Sequence, residues 1–332
     1  MSMDQATMQP GKSVLPAIGL FFLAPLVAEY LFGNLPITML HALILMAPLY
    51  GGGALLIREL VRRAGRGWPS ILLLALAYGI LEEGFVTQTL FNPNYLSLNL
   101  HLLEPAYIPA LGIGGWFTVF VLALHAVWSI PVPIALVEAA VPDRATTPWL
   151  SRLGLGVVVV LFALGVVGTT WSSLHQDHFV SAPFQFASAA VAIVCLAVAA
   201  FLLPRPGVPA GSGVIPNPWF AGALALACGS AILLLPPRWG WWAAGAILLI
   251  EVGMGAAVLV WAKRMGWSLL HKLALASGAA LAYAWHAFIG RPVVGGTGAS
   301  VRVGNAVFAL GALALIGFAA KRSSASAVDA NG

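Results

Sequence analysis

The chain has 332 residues, of which 60% are hydrophobic and only 8% are charged, and its formal net charge is +5 at pH 7. An ordinary soluble protein has about 25% charged residues, so this composition excludes a soluble globular fold, which would expose large apolar areas to water. The basic residues are scattered in short segments between apolar runs and form no nucleic-acid-binding motif, so nucleic acid is not an expected partner.

Ten apolar runs follow one another along the chain. Each is about twenty residues long and apolar on all sides, as a transmembrane α-helix requires, whereas the strands of a membrane barrel alternate in polarity over about ten residues. We therefore predict an all-α, polytopic integral membrane bundle of about ten transmembrane helices. The predicted helices cover residues 14–33, 36–57, 70–91, 115–139, 153–172, 184–203, 217–236, 240–262, 269–290 and 304–320.

Prolines and glycines concentrate in the segment 204–218, which reads PRPGVPAGSGVIPNP. Such a composition is typical of a linker. It predicts a six-helix bundle over residues 1–203 and a four-helix bundle over residues 219–322, followed by a disordered polar tail, 323–332. Cys195 and Cys228 both lie inside apolar runs and are interpreted as packing residues.

The distribution of Lys and Arg predicts the orientation. If the N-terminus is inside, 13 of the 16 basic residues fall in cytoplasmic segments, and only Arg238, Arg291 and Arg302 fall in outer loops. The inside set includes a basic cluster at residues 58–66, placed in the loop after the second helix. Because positive charge accumulates on the cytoplasmic side, we predict that both termini are cytoplasmic. No lipidation or retention signal indicates an organelle, so the expected location is the plasma (inner) membrane.

The third predicted helix carries two adjacent carboxylates, Glu82 and Glu83, near the middle of the membrane. An acid at a helix centre costs about 2.5–3.5 kcal/mol on insertion scales, so a structural or functional role is expected for the pair. Adjacent positions lie about 100° apart on a helix, so one carboxylate can face a cavity while the other bonds a neighbouring helix. The fourth helix brings His125 to a similar depth. General-base chemistry, proton transport and a protonated pair that only ties helices together are all consistent with this pattern.

Other ionisable residues favour the outer half, among them Glu29 near the outer end of the first helix. His175 and His178, in an HQDH run after the fifth helix, are weak candidates for metal ligands, with a solvated turn as the alternative. Glu251 is a separate acid in the eighth helix. The outer loop 92–114 carries leucines and prolines but no Lys or Arg, and it is either a lid over the bundle or an ordinary connection. The sequence does not identify a cofactor.

Glu82 and Glu83 on one helix, followed by His125 on the next, resemble the intramembrane proteases of the CPBP family (CAAX-processing and bacteriocin-processing, or Abi). The pattern of that family is EExxxR, then FxxxH, then HxxxN or a variant, on successive membrane helices. The resemblance implies that glutamate and histidine activate a water molecule for peptide hydrolysis inside the membrane, with these three residues as the catalytic set. The chain departs from the pattern at Thr87, in place of the arginine, at Val121, in place of the phenylalanine, and in lacking a clear third motif.

Three functions are consistent with these residues. The favoured one is an intramembrane glutamate/histidine hydrolase, with one glutamate as general base and His125 orienting the water or stabilising the oxyanion. The alternatives are a proton-coupled transporter or carrier, in which the same groups form a relay, and a non-catalytic membrane scaffold. The expected partners are the lipid bilayer and, for a hydrolase, a membrane-protein or peptide substrate.

Overall fold

The structure, a computed structural model, describes residues 13–207 and 211–329. Within these ranges ten helical segments follow one another along the chain, one for each predicted apolar run. They are α1 Leu15–Leu31, α2 Ala42–Arg63, α3 Trp68–Val86, α4 Gly115–Ala140, α5 Arg152–Asp177, α6 Pro183–Leu202, α7 Pro218–Leu234, α8 Trp241–Trp261, α9 Leu269–His286 and α10 Ala299–Asp329.

Most of the ten helices have the length and composition of membrane spans. Seven in the described part of the chain are long and apolar enough to cross a bilayer, and α1 and α7 are shorter apolar helices. In hydrocarbon a helix satisfies all its backbone hydrogen bonds internally, which is why apolar runs of this length adopt that structure. The prediction of an all-α polytopic membrane bundle is confirmed.

Local sequence signals set where several helices begin. Pro183 and Pro218 occupy the first turns of α6 and α7, where a backbone N–H would have no helical acceptor. The side chain of Asn217 accepts a hydrogen bond from the backbone N–H of Phe220 at 2.8 Å. Ser151 caps α5 in the same way at 3.1 Å. These caps satisfy N–H groups that the first helical turn leaves free.

The second helix lies further along the chain than predicted. Ile37–Met39 form a separate 3₁₀ turn, and α2 begins at Ala42 rather than residue 36 and ends at Arg63 rather than residue 57. As a result Arg58 and Arg62, predicted to lie in a cytoplasmic loop, lie inside the helix and are buried. The prediction was wrong because buried acids on this and another helix pair with these arginines, which a hydropathy pattern does not reveal.

Helices from both sides of the Pro/Gly-rich segment share a core in which α9 packs against α4, α7 and α10. Gly278 of α9 lies so close to α7 that an added Cβ would collide with the carbonyl oxygen of Gly222. Trp128 of α4 stacks on Tyr283 of α9, with ring centroids 4.6 Å apart, and donates a hydrogen bond to the carbonyl oxygen of Ala279 at 2.7 Å. Division of the chain into two bundles at residues 204–218 stays a prediction.

The end of the chain differs from its prediction. Residues 323–329, predicted as part of a disordered tail, continue α10 to Asp329. The hydroxyl of Ser323 donates a hydrogen bond to the carbonyl oxygen of Ala139 at 2.9 Å, which attaches this part of α10 to α4. The remainder of the predicted tail, residues 330–332, lies outside the described residues.

The loop between α3 and α4, called the outer loop after its predicted side of the membrane, contains a short antiparallel hairpin. Its strands are β1, Tyr107–Ile108, and β2, Ile113–Gly114, with Tyr107 opposite Gly114. The hairpin leads directly into α4, so it lies at the same end of the bundle as the last turn of α3.

Candidate functional site

Three helices change from α to π winding, and each change includes an ionisable residue. The π-helical turns are Leu26–Leu31 in α1, Glu82–Val86 in α3 and Leu124–Ser129 in α4. They contain Glu29, the pair Glu82 and Glu83, and His125. No other π turn occurs within residues 13–207 and 211–329. A π turn inserts a residue into a helix and so redirects its side chains, and such turns are frequent at functional sites.

Glu83 and His125 form a hydrogen-bonded pair between α3 and α4. His125 Nε2 lies 2.8 Å from Glu83 Oε1, and His125 Nδ1 lies 3.7 Å from Glu82 Oε2. All three residues are buried, with 3%, 8% and 3% of Glu82, Glu83 and His125 exposed. Gly79 permits this approach, because an added Cβ would lie 2.9 Å from the Cβ of His125. The structure thus brings together the three residues that the sequence singled out.

The carboxylate of Glu83 is held through both oxygens. Oε1 bonds His125, and Oε2 accepts hydrogen bonds from the hydroxyls of Thr87, at 3.3 Å, and Thr89. Thr87 occupies the position at which the CPBP pattern has arginine, so neutral hydroxyl donors fix this carboxylate here. Because its oxygens are already engaged, Glu83 is suited to orienting His125 rather than to reacting itself.

Three buried polar atoms in and around the Glu83–His125 pair have no hydrogen-bond partner in the described part of the chain. They are Glu82 Oε2, His125 Nδ1 and the hydroxyl oxygen of Tyr78. Buried polar atoms are nearly always hydrogen-bonded, and leaving one unsatisfied costs about 1–3 kcal/mol. Three such atoms in one place indicate a binding site for a polar ligand. An oxygen atom about 2.8 Å from both Glu82 Oε2 and His125 Nδ1 fits the 3.7 Å that separates them.

Glu82, Glu83 and His125 also have the composition of a metal site. One ligand atom from each lies within 4.8 Å of the other two. Carboxylate oxygen and imidazole nitrogen bind zinc at about 2.0–2.2 Å, so two ligands of one ion lie up to about 4 Å apart. The 3.7 Å between Glu82 Oε2 and His125 Nδ1 satisfies that limit. Glu83, on the other ring nitrogen, is placed like the carboxylates that orient metal-binding histidines.

A tyrosine connects the π turn of α1, which contains Glu29, to the hydrogen-bonded pair of Glu83 and His125. The hydroxyl of Tyr50, in α2, donates to Glu29 Oε1 at 2.7 Å, and Asn34 Nδ2 donates to Glu29 Oε2 at 3.1 Å. The Tyr50 ring also stacks against His125, with centroids 6.3 Å apart. Glu29 is partly exposed, so the polar cluster extends from the buried pair to the surface at the end of α1.

The other predicted residues do not join this site. His175 Nδ1 lies 3.0 Å from the carbonyl oxygen of Trp171, and His178 follows α5 in the left-handed conformation, with φ of 50°. Neither belongs to a group of three metal-ligating side chains in the described ranges. Glu251 lies in the middle of α8, and no described residue hydrogen-bonds or ion-pairs with it.

Reasoning from the sequence missed Tyr50, Tyr78 and Thr89 as parts of the cluster. Each is a neutral hydroxyl residue in or beside an apolar run, so nothing in composition marks it. One signal was available, since Tyr78 precedes Glu82 by four residues and therefore lies on the same helix face. The contacts of Tyr50 and Thr89 depend on tertiary packing and on the loop after the π turn.

A second buried ionic cluster was also missed. This arginine–glutamate network comprises Arg58, Glu59 and Arg62 of α2 and Glu138 of α4. Arg58 and Arg62 bond Glu138 at 3.0 and 2.7 Å, and Arg58 also bonds Glu59 at 3.1 Å and lies 3.2 Å from the ring centroid of Trp149. Glu138 itself was a usable signal, because an acid in an apolar run needs a partner. With its charges paired, the network is a structural tie between α2 and α4.

Comparison with known proteins identifies a family for this chain but no individual relative. The model of an uncharacterized membrane protein family matches residues 19–321, a range that includes all three π turns. No curated protein and no solved structure matches the chain. The family match does not confirm the resemblance to the CPBP proteases, and it supports a membrane protein without specifying an activity.

Proposed function

We propose that this chain, which belongs to that uncharacterized membrane protein family, is an intramembrane hydrolase that cleaves a peptide bond of a membrane-embedded substrate. One observation carries the proposal: His125 is hydrogen-bonded to Glu83 at 2.8 Å and faces Glu82 at 3.7 Å, on helices of spanning length. In this arrangement Glu82 can act as the general base, and the imidazole of His125, which Glu83 holds in place, can orient the water molecule.

The hydrogen bonds assign different roles to the two glutamates. We assign the proton of a neutral His125 ring to Nε2, where it is donated to Glu83, and this assignment leaves Nδ1 as an acceptor. Nδ1 and Glu82 Oε2 then accept the two hydrogens of one water, whose lone pair is directed at the substrate. As the water oxygen bonds to the carbonyl carbon, one O–H bond breaks and its proton passes to Glu82. Glu82 returns the proton to the leaving amine when the C–N bond breaks.

The outer loop, residues 92–114, supports access through a lid. Six of the seven non-glycine residues with positive φ in the described chain lie between Gln88 and Ala106, a strained backbone that its surroundings must hold in place. Asp177, at the end of α5, accepts hydrogen bonds from Asn92 Nδ2 and the backbone N–H of Leu96, both at 2.8 Å. A cover attached by so few bonds can open to admit a substrate.

The test compares membrane-protein fragments in cells that carry the wild type, Glu82→Gln, Glu83→Gln or His125→Ala. His286→Ala is the matched control, because this histidine lies at the end of α9 and packs on Phe32, with ring centroids 5.1 Å apart, outside the site. We expect defined fragments with the wild type and the control, and none with the three site variants, at equal accumulation of all five proteins. Identical fragments in every strain would contradict the proposal that this protein is a protease.

One observation favours a second candidate, a proton-coupled carrier. The hydrogen bond from Tyr50 to Glu29 extends the acidic cluster toward the end of α1, as a proton relay would require. In proteoliposomes with an imposed pH gradient, a carrier would move protons with the wild type and lose that flux with Glu29→Gln. The hydrolase predicts no such flux in either protein.

We further propose that both termini are cytoplasmic and that the plasma membrane is the location. The 13:3 distribution of Lys and Arg supports this orientation. A C-terminal green fluorescent protein should then fluoresce, and a C-terminal alkaline phosphatase should be inactive; the reverse pattern would invert the topology.

A further inference from the structure

We infer that Tyr78 is a further catalytic residue of the proposed hydrolase, and that its hydroxyl donates a hydrogen bond to the substrate carbonyl oxygen as that oxygen becomes negative. The inference rests on the proposed function. It goes beyond the three residues of the sequence pattern, because it assigns the stabilisation of the oxyanion to a group that is neither glutamate nor histidine.

The position of Tyr78 fits this role. It precedes Glu82 by four residues on α3, so both side chains project from one helix face. Its ring meets His125 edge-on, with centroids 5.8 Å apart. The hydroxyl lies close enough to the Glu82 carboxyl to interact with it, but no contact of the hydroxyl satisfies both the distance and the angle of a hydrogen bond. A carbonyl attacked by water held between Glu82 and His125 would therefore have a tyrosine hydroxyl beside its oxygen.

The hydroxyl of Tyr78 is an unused donor. Only 4% of the residue is exposed, and the oxygen has no partner among the described residues. A buried tyrosine usually finds a hydrogen-bond partner, and one kept only for packing would be better replaced by phenylalanine. The hydroxyl of Tyr50, by contrast, donates a hydrogen bond to Glu29. An unsatisfied donor next to two unsatisfied acceptors matches the needs of a reaction in which a water donates protons and a carbonyl oxygen accepts one hydrogen bond.

The ring is also held in place before any substrate arrives. Tyr78 packs directly on Gly53 of α2, where an added Cβ would collide with the ring. His125 lies on another side of the ring. A donor that is fixed beforehand stabilises developing charge without a cost of reorganisation, which is the requirement for an oxyanion-binding group. The proton stays on the tyrosine throughout, so the bonds made and broken are those of water attack and amine departure alone.

The test uses purified full-length protein and the substrate whose fragments the cellular comparison identifies. For Tyr78→Phe we expect kcat to fall by about 100-fold, the usual effect of losing one oxyanion donor, with little change in KM. Thermal stability should be unchanged or raised, because an unsatisfied buried hydroxyl is removed. Tyr283→Phe is the matched control, since this buried tyrosine stacks on Trp128 outside the site, and it should keep the wild-type kcat.

The outcomes separate this inference from the proposed function. Wild-type kcat in Tyr78→Phe, with cleavage abolished in His125→Ala, would overturn the role of Tyr78 and leave the hydrolase intact. Cleavage that persists in both Glu82→Gln and His125→Ala would overturn the hydrolase itself. If Tyr78→Phe fails to fold, 3,5-difluorotyrosine at position 78 keeps the shape, and its hydroxyl loses its proton at lower pH. The alkaline limb of the kcat profile should then move to lower pH, and an unmoved limb would contradict the inference.

Discussion

In the proposed hydrolase, single hydrogen bonds decide which of two adjacent carboxylates is free to react. Glu83 is bonded by His125, Thr87 and Thr89, whereas Glu82 Oε2 has no partner among the residues that the structure describes. The two acids are neighbours in the chain, but the π turn places them in different surroundings. Opposite roles for two similar acids follow from such a difference in environment.

Removing one of the hydroxyls that hold Glu83 should therefore weaken the site without destroying it. We expect Thr89→Val to lower kcat roughly tenfold, since one hydrogen bond to the carboxylate that orients His125 is lost. Thr89→Ser keeps the hydroxyl and should restore most of the rate. Thr118→Val is the control, because the buried hydroxyl of Thr118 bonds no described residue, and its removal should leave kcat unchanged. Equal rates in Thr89→Val and the wild type would contradict the role given to Glu83.

The core of the candidate site could be predicted from the sequence, and its surroundings could not. Two acids and a histidine at equal depth in neighbouring apolar runs are expensive in lipid, so their convergence was a sound expectation. Tyr50 and Thr89 lack that signal, because an uncharged hydroxyl is tolerated in many places in a helical bundle. The π turns also escaped prediction, since the apolar pattern of α3 and α4 continues through them.

At the scale of helices, the arginine–glutamate network ties α2 to α4. Glu138 accepts hydrogen bonds from both Arg58 and Arg62 in a region where 1% of Glu138 and none of Arg58 is exposed. Removing one partner of a buried ion pair leaves an uncompensated charge, which typically costs about 3–5 kcal/mol.

We accordingly expect Glu138→Ala to lower the free energy of unfolding by about 3–5 kcal/mol, measured by denaturant titration in mixed micelles. Glu104→Ala is the control, because Glu104 pairs only with His101 on an exposed part of the outer loop, and it should have no measurable effect. Equal stability of the two variants would show that the network does not hold α2 against α4.

The shift of α2 along the chain shows why a hydropathy pattern does not predict buried ionic networks of this kind. Charged residues end an apolar run in any window average, so Arg58 and Arg62 were assigned to a loop. In the structure Glu59 lies beside them on the same helix and Glu138 comes from another helix, and these partners allow the arginines to stay buried. A contact across about eighty residues cannot be inferred from local pattern.

The proposed lid, residues 92–114, makes a separate prediction at this scale. Asp177→Ala removes both hydrogen bonds that join α5 to Asn92 and Leu96, so the outer loop should open more often. We expect faster amide hydrogen exchange over residues 92–97, measured by mass spectrometry, while α5 keeps its protection. Glu104→Ala, in the same loop, should leave exchange over residues 92–97 unchanged. Unaltered exchange in Asp177→Ala would show that Asp177 does not hold the loop closed.

At the scale of the whole molecule, Glu251 is a mid-helix acid that belongs to neither of the buried clusters described above. Glu251 is at the middle of α8, a helix of 21 residues, and has no hydrogen bond or ion pair with a described residue. We expect Glu251→Leu to stabilise the protein in a bilayer by up to about 2.5–3.5 kcal/mol, the cost of a mid-membrane carboxyl. Stability in nanodiscs of the wild type, Glu251→Gln and Glu251→Leu measures the effect. A loss of stability in Glu251→Leu would contradict the expectation.

Hydrolysis inside the membrane by Glu82, Glu83 and His125 is the central claim, and the most direct measurement follows the water oxygen. The purified protein, reconstituted in lipid nanodiscs with its substrate, is incubated in water enriched in ¹⁸O, and the new C-terminus of the product is examined by mass spectrometry. With the wild type and His286→Ala, the new carboxyl group should carry one ¹⁸O atom, whereas Glu82→Gln and His125→Ala should give no product. Labelled product from Glu82→Gln and His125→Ala at the wild-type rate would contradict the claim.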